Sequence, residues 1–512
     1  MVNPWLIAIS VMLATFMEVI DTSIASVALP HIAGSLSATT DEATWVLTSY
    51  LVANAIILPA SGWFALRFGR KRFLITCIVI FTISSFMCGA ATSLGMILIA
   101  RAVQGAGGGA LQPLSQAILL ESFPPQKRGL AMAVFGLGVV VAPVLGPTLG
   151  GYLTDQYSWR WAFYINIPIG VLAIFMLTRF VTDPPYIKDA KPGKIDAIGF
   201  GLLGISLACL QIILDKGQED DWFSAIWLRW MAVIMIATLI GFLIRELRIA
   251  APLVNLRVFT NRNFALGCLL IGLFGGVIYG IVTLLPLFYQ TLLGYTASAA
   301  GIAVSPRGIG AVMIMPVIGV LAGRMDSRWL IVTGFAVFGV TSIWMARLTL
   351  DISPTSLLWP IIVSGVGAGM IFVPLATISM GTLKNEQIGN ASGLFNLMRN
   401  VGGGIGISMV NTLVARHQQI HRALLVQNLT PGNPAFQQAF DSTRRAMSQY
   451  AGPGVADQRA YGLLQGTLEQ QSATFSYVDV FRYLALACFI CGVIVIFMKR
   501  VQAKKGAPAM AH

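Results

Sequence analysis

Apolar runs long enough to cross a membrane recur along the whole chain, separated for the most part by short polar segments. A helix rises 1.5 Å per residue, so about 20 apolar residues are needed to cross the hydrocarbon of a bilayer. By that measure spans are predicted at 5–28, 44–64, 73–92, 95–119, 129–151, 162–181, 196–215, 226–246, 264–289, 298–322, 329–348, 356–379, 390–415 and 478–498. Fourteen such segments make an all-α membrane protein, because a helix satisfies its own backbone where no water can. The run from Trp5 to Pro30 is too long for the core of a cleavable signal and is followed by further spans. It is read as a retained first helix.

Composition agrees with this pattern. Of 512 residues 56% are hydrophobic and 11% charged, with a mean hydropathy of +0.76, where a soluble domain carries about 25% charged residues. The net charge of +13 would suggest nucleic acid in a soluble protein. Here it reflects basic residues collected on one side of a membrane, and no nucleic-acid partner is expected. With the N-terminus inside, the inner segments hold twenty-one basic residues, from Arg67, Arg70, Lys71 and Arg72, through Lys191 and Lys194, to Lys499, Arg500, Lys504 and Lys505. The short outer loops hold four: Arg160, Lys216, Arg229 and Arg347. Both termini are therefore expected on the cytoplasmic side. One outer connection, 416–476, is long, polar and Gln-rich, and is interrupted by Pro431, Gly432, Pro434 and Pro453. It reads either as a flexible insert or as a docking surface for a partner outside the membrane.

Six cysteines lie in apolar stretches, and the Cys488/Cys491 spacing has no second pair or neighbouring His, so no metal site is expected. The glycine runs Gly105–Gly109 and Gly146–Gly151 lack the Lys-Ser/Thr of a phosphate loop. They lie within spans, where small residues let helices approach, and Pro147 should kink its helix. No cofactor is expected, and uphill work must draw on an ion gradient.

After the second span the chain reads Gly62-Trp63-Phe64-Ala65-Leu66-Arg67-Phe68-Gly69-Arg70-Lys71; after the tenth it reads Gly319-Val320-Leu321-Ala322-Gly323-Arg324-Met325-Asp326-Ser327-Arg328. Gly, Ala, Arg and a closing cation recur at the same offsets. Two six-helix halves in parallel orientation are inferred, 1–181 and 264–512, with 182–263 supplying two inserted helices and their flanking loops. Parallel repeats around a midplane site suit transport by rocking.

Further motifs point to a family. Arg101-Ala102-Val103-Gln104-Gly105-Ala106-Gly107 resembles the RxxQGxG signature of the major facilitator superfamily, and Gly146-Pro147-Thr148-Leu149-Gly150-Gly151 resembles the GPxxGG signature of its proton-driven antiporters. The Gly62–Lys71 stretch is similar to the superfamily loop GxLADRxGRK, with Phe64 for Leu and Leu66 where the pattern has an acid. Leu13–Pro30, containing Asp21-Thr22, and Trp159–Gly170 resemble the fourteen-helix drug:proton antiporters. The resemblance implies a major facilitator fold with 14 transmembrane helices arranged as 6+2+6, in a bacterial inner membrane. It implies gating or structural roles for Gly62, Arg67, Gly69, Arg70, Lys71, Gln104, Gly105, Gly146, Pro147, Gly150 and Gly151. It also implies a periplasmic adaptor of the membrane-fusion type and an outer-membrane channel as partners, with 416–476 as the contact. Leu66 leaves the usual charge lock of the inner gate without its acidic member.

Ionisable residues inside spans are costly and mark function. Asp21 and Arg101 fall at one depth, roughly 10–13 Å below the outer surface, and can pair. Glu18 lies one turn from Asp21 on the same face. Two such carboxylates in a low dielectric should not both stay ionised, so Asp21, Glu18 and Arg101 are candidates for proton coupling. A static Asp21–Arg101 bridge is the plainer alternative. Glu18, Asn54, Gln112 and Arg307 are candidate substrate contacts, Arg307 for an anion or as a balance to the acids of the first span. Arg399 sits among Asn390, Asn396 and Asn400 before Gly402–Gly406, a run read as helix packing. The function expected is proton-driven export of small hydrophobic or amphipathic compounds by alternating access. A dedicated exporter of one metabolite or siderophore, and a non-transporting sensor, are the alternatives.

Overall fold

The computed structural model describes residues 3–124, 127–188, 193, 195–249, 252–450 and 453–500. Lys191, Lys194, Lys504 and Lys505 lie outside them. Every regular element among the described residues is helical. The first three spans are α1 (Pro4–Ser35), α2 (Thr40–Phe68) and α3 (Arg70–Gly89). The fourth is shared by α4 (Leu94–Gly108) and α5 (Leu111–Ser122), the fifth is α6 (Arg128–Gln156), and the sixth is shared by α7 (Trp161–Tyr164) and α8 (Asn166–Phe180). After the short α9 (Pro185–Lys188) come α10 (Ala197–Lys216) and α11 (Ile226–Arg248). Then follow α12 (Arg262–Thr291), the pair α13 (Ala297–Val304) and α14 (Pro306–Leu321), α15 (Ser327–Met345) and α16 (Pro354–Met380). The chain finishes with α17 (Asn385–Val426), α18 (Pro434–Ser448) and α19 (Pro453–Ile496).

Local chemistry sets the starts of these helices. Asn3 caps α1 by accepting from Trp5 N at 3.0 Å, and Thr39 and Glu42 form a reciprocal capping box at α2. Gly69 turns the chain between α2 and α3 with a φ of 86°, a conformation that favours glycine. The Asp183 carboxylate then accepts from Lys71 N at 2.8 Å. Thirteen spans among the described residues have the length and hydropathy of a membrane crossing. The remaining one, α17, carries the polar run Asn390–Asn400 and packs among α12, α19 and α2.

Three segments expected as single helices are broken instead: the fourth span at Gly109–Ala110, the sixth at Ile165 and the tenth at Ser305. The fifth is the reverse case, since α6 continues through Pro143 and Pro147. Pro147 has no N–H to offer the carbonyl of Pro143 one turn back, and the Ser23 hydroxyl of α1 donates to that carbonyl at 3.2 Å. A neighbouring helix thus satisfies the group that proline leaves bare. Among its described residues the polar connection 416–476 is largely helical rather than a flexible insert. α17 extends to Val426, α18 packs along α19, and α19 begins at Pro453.

In the packing, α1 lies against α5, α6 and α8, while α12 lies against α16, α17 and α19. The inserted α10 crosses the seam, touching both α2 and α17. α11 leans on α10 and buries only Leu228, Phe242 and Glu246, so nearly all of it faces outward. The two Gly motifs both lie where the N-terminal and C-terminal helices meet at the end rich in basic residues. A Cβ on Gly62 would stand 3.1 Å from the Asn390 backbone of α17, and one on Gly319 would stand 3.0 Å from the Leu130 backbone of α6. At the opposite end Gly151 and Pro147 of α6 meet Ser298 and Gly301 of α13.

Candidate functional site

Two polar sites lie inside the bundle. The first is built on Asp21, midway along α1 and completely buried. Its Oδ2 pairs with Arg101 Nη1 at 2.6 Å, and its Oδ1 accepts from Gln104 Nε2 at 2.9 Å and Asn166 Nδ2 at 2.6 Å. Arg101 also donates to Gln104 Oε1 at 2.7 Å and to the Val46 carbonyl at 3.0 Å, and its guanidinium lies 4.2 Å from the centre of the Tyr50 ring. Asn166 and Ser85 extend the network towards the Phe163 carbonyl. The approach of α4 to α2 depends on Gly105, whose Cβ would be 2.2 Å from the Tyr50 carbonyl oxygen. Gly146 and Gly150 similarly admit α1 at Ser23 and Ile24. Both oxygens of Asp21 are held by buried N–H donors, which offsets the cost of burying the pair.

Glu18 faces a different set of residues. Its Oε1 accepts from Asn54 Nδ2 at 3.0 Å, and its Oε2 has no hydrogen-bond partner among the described residues. Arg399 and Asp21 are both close enough to act on it electrostatically. Gln112 accepts a hydrogen bond from Arg399 Nη2, while Nε and Nη1 of Arg399 are unpartnered among the described residues. Asn54, Glu18, Gln112 and Arg399 thus bring α2, α1, α5 and α17 together at one place.

Arg399 thus bonds across helices, as expected of its run, and is also a wall of the second site. A cavity of ≈ 60 Å³ lies between α6, α12, α13, α14, α16 and α17. Val139, Val140, Pro143, Phe274, Tyr279 and Phe372 supply apolar surface, and Arg307 and Arg399 supply the charge. Arg307 makes one side-chain hydrogen bond, to Ser364 at 3.2 Å, and its Nη2 is unpartnered among the described residues. It is in no ion pair among the described residues, whereas Asp21 pairs with Arg101. The cavity is smaller than the several hundred Å³ of a drug-sized site. Access for such a compound requires the halves to move.

At the basic end the acid missing at Leu66 is replaced from elsewhere. Arg70 forms a two-pronged pair with Glu121 of α5, at 2.8 and 3.1 Å, and donates to Tyr186 of α9 at 2.8 Å. Lys71 Nζ donates to the Thr178 carbonyl at 2.6 Å, whereas the Arg67 side chain is exposed. Across the seam Gln116 of α5 accepts from Ser392 and Asn396 of α17, each at 2.7 Å. Sequence reasoning missed Glu121, Asp183, Gln116, Tyr50 and Ser85. Their partners are distant in sequence, and none stands out by residue type alone.

A model described as Major Facilitator Superfamily matches residues 11–407 of the chain. The multidrug export protein EmrB of Escherichia coli (strain K12) is 37% identical over 479 residues, covering 93% of this chain and 91% of that protein. The fatty acid resistance protein FarB of Neisseria gonorrhoeae is 37% identical over 475 residues, covering 93% and 92%. Among solved structures, the human organic anion transporter MFSD10 superposes with a TM-score of 0.58 at 13% identity, covering 95% of this chain and all of that one. This last likeness concerns the fold.

Proposed function

Since the chain belongs to the major facilitator superfamily and is a membrane transporter, we propose that it is a proton-driven antiporter that exports small amphipathic compounds, with a preference for organic anions. The observation that carries this reading is the nearness of Glu18 to the cavity wall: Arg399, which lines the cavity and bonds Gln112, acts on Glu18 electrostatically. Glu18 has a bare oxygen where a proton can sit. Asp21, with both oxygens held by N–H donors, serves as the fixed counter-charge of Arg101. On the inner side Arg399 and Arg307 receive the anionic head of a compound, a donor group of that compound bonds the bare oxygen of ionised Glu18, and the aromatic and aliphatic wall takes the apolar part. Protonation of Glu18 from the outer side withdraws that acceptor and releases the compound, so proton and compound occupy the site in turn. Return of the proton to the inner side restores the acceptor and prepares the next cycle.

The expected orientation, with both termini inside, follows from the basic end formed by Arg67–Lys71, Arg128 and Lys384. The end of α17, α18 and the first part of α19 then stand outside the inner membrane, a place suited to a periplasmic adaptor leading to an outer-membrane channel. The names of EmrB and FarB support export of toxic compounds and of fatty acids as the direction and kind of work.

The test uses the full chain in sealed vesicles with an imposed pH gradient. Uptake of a fluorescent amphipathic carboxylate is expected to follow the gradient and to vanish in Glu18→Gln, and exchange of labelled for unlabelled carboxylate without a gradient is expected to persist. Gradient-driven accumulation by Glu18→Gln at the wild-type level would overturn the assignment.

A further inference from the structure

Outside both polar sites, two imidazoles and a carboxylate converge where α17 and α19 leave the apolar bundle. His417 and His421 are four residues apart on α17, so both project from one face of the helix. Asp479 of the antiparallel α19 stands opposite. Its Oδ2 lies 3.3 Å from His417 Nδ1 and 2.7 Å from His421 Nε2. The three donor atoms all fall within 4.8 Å of one another. The side chains are half-shielded, with exposures of 19%, 24% and 21%, and the rings of Tyr483 and Phe475 lie beside the two histidines. Arg482 donates to the other carboxylate oxygen, Oδ1, at 3.1 Å.

We propose that His417, His421 and Asp479 form a binding site for one divalent transition-metal ion, Zn²⁺ foremost, that staples α17 to α19. Two imidazole nitrogens and one carboxylate oxygen are a ligand set that suits zinc, which binds such donors at about 2.0–2.2 Å in tetrahedral geometry. Donors in that geometry stand about 3.3 Å apart. The present separations are therefore within side-chain adjustment of a bound ion, and no helix has to move. Arg482 orients the carboxylate so that Oδ2 rather than Oδ1 faces the histidines, as outer partners of metal ligands do. The fourth position faces solvent and is left for water. The site is invisible to a search for short motifs, because 62 residues separate His417 from Asp479. It is also independent of the proton and substrate chemistry above, since neither Glu18 nor the central cavity touches it.

The experiment uses the full chain in detergent, freed of any polyhistidine tag and stripped with chelator. Zn²⁺ alone is titrated by calorimetry, Co²⁺ is followed by its ligand-field absorption, and thermal unfolding is recorded with and without Zn²⁺. One ion per chain, a tetrahedral Co²⁺ band and a rise in melting temperature are expected. All three should be lost in the His417→Ala/His421→Ala double variant, whose melt in chelator serves as the folding control. If that variant does not fold, His421→Gln takes its place. Arg482→Gln should bind about tenfold more weakly. No saturable Zn²⁺ binding, or equal binding by a folded variant, overturns the proposal and leaves the trio as a hydrogen-bonded clasp.

Discussion

Arg101 and Arg399 are both buried guanidiniums, yet the protein treats them differently. Arg101 meets a carboxylate, two further carbonyl-type acceptors and the face of a tyrosine, and leaves Nη2 without a partner among the described residues. Arg399 meets Gln112 and Asn400, lies 5.9 Å from the centre of the Phe372 ring, and leaves Nε and Nη1 without partners beside a cavity. An ion-paired charge bonded on most sides is fixed, because any motion breaks several bonds at once. One with no carboxylate partner has room for a ligand that completes its shell. The same contrast separates Asp21 from Glu18, although they lie one turn apart on α1. In the proposed cycle the more fully bonded member of each pair holds the structure and the other takes part in transport.

The largest break in this comparison should come from Asp21→Asn. Removing one partner of a buried ion pair costs about 3–5 kcal/mol, so thermal stability should fall sharply. All six cysteines are free and buried, so a thiol-reactive dye reports unfolding directly. Pairing Asp21→Asn with Arg101→Gln should recover part of the loss, and full additivity would count against the network. Glu18→Gln should behave in the opposite way. It keeps the acceptor for Asn54 and should melt within about 1 kcal/mol of wild type. At a membrane potential of about 150 mV each inward charge is worth about 3.4 kcal/mol, or a few hundredfold in concentration. That gradient should collapse to equality in vesicles carrying the variant.

Arg399→Ala sharpens the substrate side of the comparison. A charge-assisted hydrogen bond contributes about 1.5–3 kcal/mol, so the half-saturating concentration of an anionic compound should rise about tenfold to a hundredfold. A neutral compound of similar size should be little affected, and an equal loss for both would mean that Arg399 does not read charge. Gly62→Val should push a branched side chain against the Asn390 backbone, 3.1 Å from its Cβ. Overpacking costs about 1–3 kcal/mol, and spin labels across the basic end should report a wider separation of α2 from α17.

The smallest effect concerns Asp326, outside the spans, where hydrogen bonds from Arg328 hold the carboxyl below its ordinary range. Its contribution to stability is present above the ordinary carboxylate pKa, near 3.9, and is lost as pH falls through the depressed value. Asp326→Asn should therefore melt slightly earlier than wild type at neutral pH, by less than about 1 kcal/mol. The two melts should converge in strong acid.

The fold was legible because hydropathy acts over whole spans, and an error of a few residues does not hide a helix of thirty. Pairing was legible only where depth alone could bring two charges together, as for Asp21 and Arg101. The lock between Arg70 and Glu121 was not, because nothing local announces that the end of α5 returns to the start of α3. The segment 416–476 was misleading for a more instructive reason. Pro434 and Pro453 were counted as interruptions, yet each stands at the start of a helix, where a missing N–H costs nothing. The cavity beside Arg399 was obscured by its neighbours, since the asparagines and glycines around it pack against other helices and the arginine both bonds Gln112 across helices and faces the cavity.

One consequence follows from the unbroken course of α17. Its 42 residues make a rod about 63 Å long, and Val426 stands about 40 Å along it from Arg399. A rod with no joint acts as a lever. A tilt of about 5° at the cavity swings its far tip by about 3.5 Å, so any tilt in the middle of the membrane is written as displacement at a surface about seven and a half helical turns away.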